Sequence, residues 1–170
     1  MKNLLFPLIL LLGVALLTTS CNDDEDDARA NAADINGTTV TLTEGLLGTF
    51  GENGNGSYDW DVTLTTGGLD LDAYTGTGSF VYLDLNTNSA DGLVSGTYNW
   101  AADRDVFTIV DGDAALNFDL ATYNADYQMS ATGGSVVVTV GDNETEFDIN
   151  LTLADGETLT AYYKGALTPE

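Results

Sequence analysis

The chain has 170 residues, with 27 acidic side chains against 4 basic ones, no histidine and a single cysteine. A net charge of −23 repels phosphates, so nucleic-acid binding is excluded on electrostatic grounds. The missing histidine and lone thiol exclude histidine acid–base catalysis, Ser-His-Asp and Cys-His arrangements, the usual zinc sites and an internal disulfide.

In chain order, Lys2 forms a short positive region, Leu4 to Leu17 is an almost unbroken apolar run, and Thr18-Thr19-Ser20 places small residues before Cys21. This is the layout of a secretory signal over residues 1–20, too short for a comfortable transmembrane span. An acyl-accepting thiol directly after small residues resembles the lipobox of bacterial lipoproteins. That resemblance implies cleavage before Cys21 and acylation of its thiol (diacylglycerol-cysteine, palmitate). Leu17 stands one place further from the cysteine than the leucine of the commonest lipobox. Several acyl chains on one residue anchor stably where a single chain would not.

The acidic run Asn22, Asp23, Asp24, Glu25, Asp26, Asp27 is a like-charged block that stays solvated. It resembles the export signal that sends lipoproteins of Bacteroidota-type bacteria to the outer face of the outer membrane. The small and polar residues that follow extend a disordered, acidic linker over residues 21–34, and a single β domain is expected over 35–170.

Within that domain the hydrophobic period is two. Val40 and Leu42 alternate with threonines, and Tyr58, Trp60, Val62 and Leu64 alternate with Asp59, Asp61 and Thr63. The glycine- and asparagine-rich stretch from Gly45 to Ser57 reads as a loop. Val81, Leu83 and Leu85 form the next inward face, Thr75 to Gly78 and Asn86 to Gly92 read as turns, and Leu93 to Trp100 as a strand. Asp111-Gly112-Asp113 is an Asp-Gly hairpin signal that splits Val106–Val110 from Ala115–Leu120. Ser135–Val140, Thr145–Leu153 and Glu157–Leu167 follow as a meander turning at Gly141-Asp142-Asn143 and Ala154-Asp155-Gly156. No helical period occurs outside the signal, and regularly spaced short strands predict an all-β antiparallel sandwich or barrel.

The order Phe80-Val81-Tyr82-Leu83-Asp84-Leu85, Ser95-Gly96-Thr97-Tyr98, Gly134-Ser135-Val136-Val137-Val138, Leu153-Ala154-Asp155-Gly156 and Tyr163-Lys164-Gly165-Ala166-Leu167 resembles small Bacteroidota surface lipoproteins. The resemblance implies a lipocalin-like or jelly-roll β architecture and an outer-membrane, exterior-facing location. It carries no catalytic residues.

Close acid pairs recur at Asp59/Asp61, Asp70/Asp72, Asp103/Asp105 and Asp111/Asp113. Calcium needs several oxygens at one point, and the loop-like pairs Asp103/Asp105 and Asp111/Asp113 are the candidate ligands, with Asn86, Asn88 and Asp91 nearby in sequence. Outward alternation along strands produces such pairs without any ion. Paired carboxylates also serve glycosidases, which need no histidine, but no pair is singled out. Among the aromatics, Trp60 and Trp100 share faces with aliphatic residues. They read as core that a ligand-sized cavity would convert into a pocket. Tyr82 alternates away from Val81 and Leu83, and Tyr162 away from Leu159, making these two the exposed aromatic candidates for ligand contact.

The sequence expectation is thus a non-enzymatic surface lipoprotein that binds an extracellular ligand, such as a glycan or a partner in an uptake system. The competing expectation is an adhesive envelope protein whose acidic surface forms calcium-bridged contacts.

Overall fold

The computed structural model describes residues 29–71 and 73–170, so Cys21, the run Asn22–Asp27 and Asp72 lie outside the described residues. The described chain is all strand and turn: β1 Ala32–Ile35, β2 Thr38–Thr41, β3 Glu44–Glu52, β4 Tyr58–Thr65, β5 Leu69–Asp70 and β6 Thr75–Thr87, then β7 Gly96–Trp100, β8 Thr108–Asp119, β9 Tyr127–Val140, β10 Thr145–Leu153, β11 Thr158–Gly165 and β12 Thr168–Pro169.

The strands join in one sheet in the order β12-β3-β4-β6-β8-β7-β9-β10-β11-β1-β2, with β5 paired beside β6. Two-residue links, Leu42-Thr43 between β2 and β3 and Ala166-Leu167 between β11 and β12, tie one end of this order to the other. The sheet is therefore curled into a half-barrel rather than split into two stacked layers. The expected antiparallel sheet is corrected to a mixed one, because β7 runs parallel to β8 and β12 parallel to β3.

Alternation supplies the interior. In β10 Phe147, Ile149, Leu151 and Leu153 are buried while Asp148, Asn150 and Thr152 are exposed. These side chains meet Leu64, Leu83, Leu85, Tyr98 and Ile109 from the opposite wall in one continuous cluster. Full burial of such a side chain stabilises by roughly 1.5–3 kcal/mol, so this cluster dominates the folding energy. Tyr98, fully buried, satisfies its hydroxyl by donating to the Val94 carbonyl at 2.7 Å. Trp60 is buried with its indole N–H on the Ser89 carbonyl at 3.1 Å, and Trp100 packs half-buried against the core.

Several local expectations change. β1 begins at Ala32, inside the segment assigned to the linker, and pairs with β11. The missed signal is Asn36-Gly37, both at positive φ (52° and 72°), a two-residue turn that closes a β1–β2 hairpin. The expected Gly45–Ser57 loop contains β3, whose glycines hide the period. Gly45 replaces an inward side chain where Leu167 and Tyr163 fill the space. Asp111-Gly112-Asp113 is no hairpin but the middle of the continuous strand β8. Gly112 is not at positive φ and is buried with Leu83 opposite it on β6, so the Asp-Gly pair carries close packing rather than a turn.

Candidate functional site on the outer face of β4, β6 and β8

With Val62, Leu64, Val81, Leu83 and Leu85 turned inward, alternation turns Asp59, Asp61 and Thr63 of β4, and Phe80, Tyr82, Asp84 and Asn86 of β6, to the outer face. Register then builds rows across three strands. Asp61 lies opposite Asp84, and Asp84 opposite Asp111. In the next row Thr63 lies opposite Tyr82, and Tyr82 opposite Asp113.

Asp84 faces outward yet is only 4% exposed. It is covered by the segment between β7 and β8, which lays Arg104 across the acids. Arg104 bridges both oxygens of Asp84, Nη1 to Oδ1 at 2.9 Å and Nη2 to Oδ2 at 2.7 Å, and Nη1 also donates to Asp59. The Arg104 carbonyl accepts from Asn55 and Ser57, while Asn53 donates to Ser57 and to Asn86. The Phe107 N–H donates to the Asn86 carbonyl at 2.8 Å. Phe107 holds a φ of 62°, a region bulky side chains avoid, and its ring packs edge-on against Tyr98 at 5.3 Å. Packing thus fixes a strained end of this strap.

Burial dominates the acids' protonation. Desolvation lifts Asp84 to about 6, partly opposed by the Arg104 hydrogen bond and reinforced by the charge of Asp59. Desolvation also lifts Asp61 to about 6, opposed by its hydrogen bond with Tyr82. Asp59 is raised by desolvation more than Arg104 lowers it. Desolvation, with the Asp61 hydrogen bond and the surrounding carboxylates, pushes the Tyr82 hydroxyl well above its usual range, so it stays a donor. Asp59 and Asp84 both face the Arg104 guanidinium, and the charge of Asp59 helps to raise the pKa of Asp84, while the buried Oδ1 of Asp59 has no hydrogen-bond partner among the described residues.

Asp59, Asp61 and Asp84 are the three acids among the described residues whose carboxylate oxygens come within 4.8 Å of one another. They are the residues that could hold a metal ion, but Arg104 already brings a tethered cation to two of them. The loop pairs read from sequence are not joined in this way. Asp103 and Asp105 are exposed on the strap, and Asp111 and Asp113 lie on β8. Asn86 is fully buried in the strap network, while Asn88 and Asp91 are exposed. Asp70 is exposed and accepts from the Ala73 N–H.

Further along the same face lies a cavity of about 240 Å³. Leu69, Leu71, Phe80, Phe118 and Leu120 form its apolar walls, and Thr63, Tyr82 and Asp113 its polar edge. β5 makes one wall by pairing antiparallel with the start of β6, so closely that a Cβ on Gly76 would stand 2.0 Å from the Gly68 carbonyl oxygen. Phe118 meets Phe80 edge-on at 5.4 Å, and the exposed Tyr123 meets Phe118 at 6.2 Å.

Of the aromatic candidates, Tyr82 lines this cavity, whereas Trp60 and Trp100 do not. Tyr162 does point away from Leu159, yet it is buried beneath the Arg29 guanidinium, 4.5 Å above its ring, which in turn pairs with Asp148. The residues that sequence reasoning passed over are Arg104, to which no role was assigned, and Asp84, read only as part of a strand. No family model, curated protein or solved structure matches this chain.

Proposed function

We propose that this chain is a lipid-anchored envelope protein whose β domain binds an extracellular ligand without transforming it. The anchor is the acylated thiol of Cys21, and the acidic run Asn22–Asp27 directs the protein to the outer face of the outer membrane. The ligand, a glycan or a partner in an uptake system, meets the outer face of β4, β6 and β8.

The observation that carries this reading is the cavity beside Tyr82, an aromatic ring on the face opposite the core with a carboxylate next to it. A non-enzymatic role is supported by how the acids are used. Both Asp84 oxygens are bound by Arg104, and neither Asp61 nor Asp84 lines the cavity. The carboxyls with raised pKa are therefore not presented as an acid–base pair to a substrate. Arrays of extracellular glycans and peptides test the reading. Wild type should bind, and Tyr82→Ala should lose at least about tenfold in affinity. Binding unchanged by that substitution counts against this face.

A second reading, adhesion through calcium-bridged acidic surfaces, draws on the approach of Asp59, Asp61 and Asp84. The ion would have to compete with Arg104, and calcium-dependent self-association separates this reading from the first.

A further inference from the structure

We propose that the cavity between β5, β6 and β8 takes the apolar body of an organic ammonium ion, with the ammonium group held against Asp113. The inference rests on the outer face being the ligand face and names the chemistry that face selects.

The lining decides the class. Its apolar walls place two phenyl rings and three leucines around a volume of about 240 Å³. That lies below the roughly 300–1,000 Å³ of ordinary small-molecule sites and suits one compact body rather than an extended ligand. The polar edge is rich in acceptors and short of donors. Asp113 contributes a carboxylate, the Tyr82 hydroxyl is engaged with Asp61, the Thr63 hydroxyl is the one neutral donor left, and no lysine or arginine lines the cavity.

An anion therefore finds repulsion from Asp113 and from the neighbouring row Asp61, Asp84 and Asp111, in a chain of net charge −23. A neutral polar ligand has few donors to bond with. A protonated amine brings the donors the edge lacks, and a charge-assisted hydrogen bond to Asp113 is roughly twice as strong as a neutral one. Phe80, Phe118 and Tyr82 also set aromatic rings around the cavity, and a ring favours a cation over an isosteric neutral group. Arg104 does not supply this charge, because its guanidinium is committed to Asp59 and Asp84.

The experiment titrates the full mature protein with phenethylammonium, phenethyl alcohol and phenylacetate, which share a ring and differ in charge. Phenethylammonium should bind at least about tenfold tighter than the alcohol, as expected for a hydrogen bond to a charged group, and phenylacetate should not bind. Asp113→Asn should bring the ammonium down to the alcohol, while Phe118→Ala should weaken both. Unchanged melting temperatures serve as the folding control. Equal binding of alcohol and ammonium, or ammonium binding unaffected by Asp113→Asn, overturns the ligand class but leaves the face intact. If none of the three binds while array binding still depends on Tyr82, the ammonium inference alone falls. If array binding is also indifferent to Tyr82→Ala, the outer-face reading falls with it.

Discussion

Arg104 grips Asp84 with two guanidinium nitrogens, at 2.9 and 2.7 Å, from a segment that precedes β8 while Asp84 sits on β6. This contact holds the strap between β7 and β8 against the outer face and buries Asp59 and Asp84, two carboxylates that alternation alone would leave in water. Removing the cation leaves buried charge uncompensated. Arg104→Met should cost about 1–3 kcal/mol at pH 7 by urea denaturation, less than for a fully buried pair because the Arg104 side chain is 41% exposed. The loss should shrink at pH 5, where Asp61 and Asp84, raised to about 6, take up protons. Combining it with Asp84→Asn should recover part of the loss, which a double-mutant cycle measures.

Asp61 and Asp84 also set the sign of the pH dependence. Their folded pKa values, about 6, lie above the ordinary value of 3.8. The folded state therefore binds more protons between these limits, and the stability these groups provide is lost as pH rises through about 6. Melting temperature should rise on going from pH 7 to pH 5, opposite to a protein whose acids are stabilised by pairing. Asp61→Asn, which keeps an acceptor for the Tyr82 hydroxyl, should stabilise at pH 7 by about 1 kcal/mol and flatten the profile. A melting temperature that falls steadily over this range, unaltered by the substitution, would refute the assignment.

The cavity depends on the close antiparallel pairing of β5 with the start of β6, which seats Leu69 and Leu71 in its wall. Gly76, at φ 101°, has no room for a Cβ beside the Gly68 carbonyl. Gly76→Ala should cost about 1–3 kcal/mol through strain and displacement of β5. Limited proteolysis between residues 66 and 74 should accelerate as Leu69 and Leu71 lose their seat, and ligand affinity should fall with it.

The anchor has its own test. In a host that processes lipoproteins, the protein should incorporate labelled fatty acid and partition into the detergent phase. Cys21→Ser should abolish labelling and move the protein to the aqueous phase, because no second thiol is present to accept the acyl chain. Labelling that persists in Cys21→Ser would sink the lipobox reading.

Much of the strand grammar was legible locally. The turns at Gly141-Asp142-Asn143 and Ala154-Asp155-Gly156 fall where β9, β10 and β11 change direction, and Tyr82 lies on the side that its neighbours' alternation indicated. What misled was glycine. Gly45 and Gly112 fill positions where the core needs space, so they broke a period or imitated a turn without doing either in the fold. The site was legible only in fragments. Tyr82 could be picked out by alternation, whereas Asp103 and Asp105 drew attention away from Arg104, the residue between them.

By itself, the sequence determined the all-β class, the inward and outward faces of most strands, and a net charge of −23. Those properties follow from side-chain type and a period of two, both local. Only the tertiary structure decided that Asp61, Asp84 and Asp111 form one row, that Arg104 closes over Asp84 and Asp59, and that Tyr82 and Asp113 border a cavity. The partner of a strand and its register are chosen by how the whole sheet buries its apolar face. No window of sequence contains that choice, and these residues meet only after it is made.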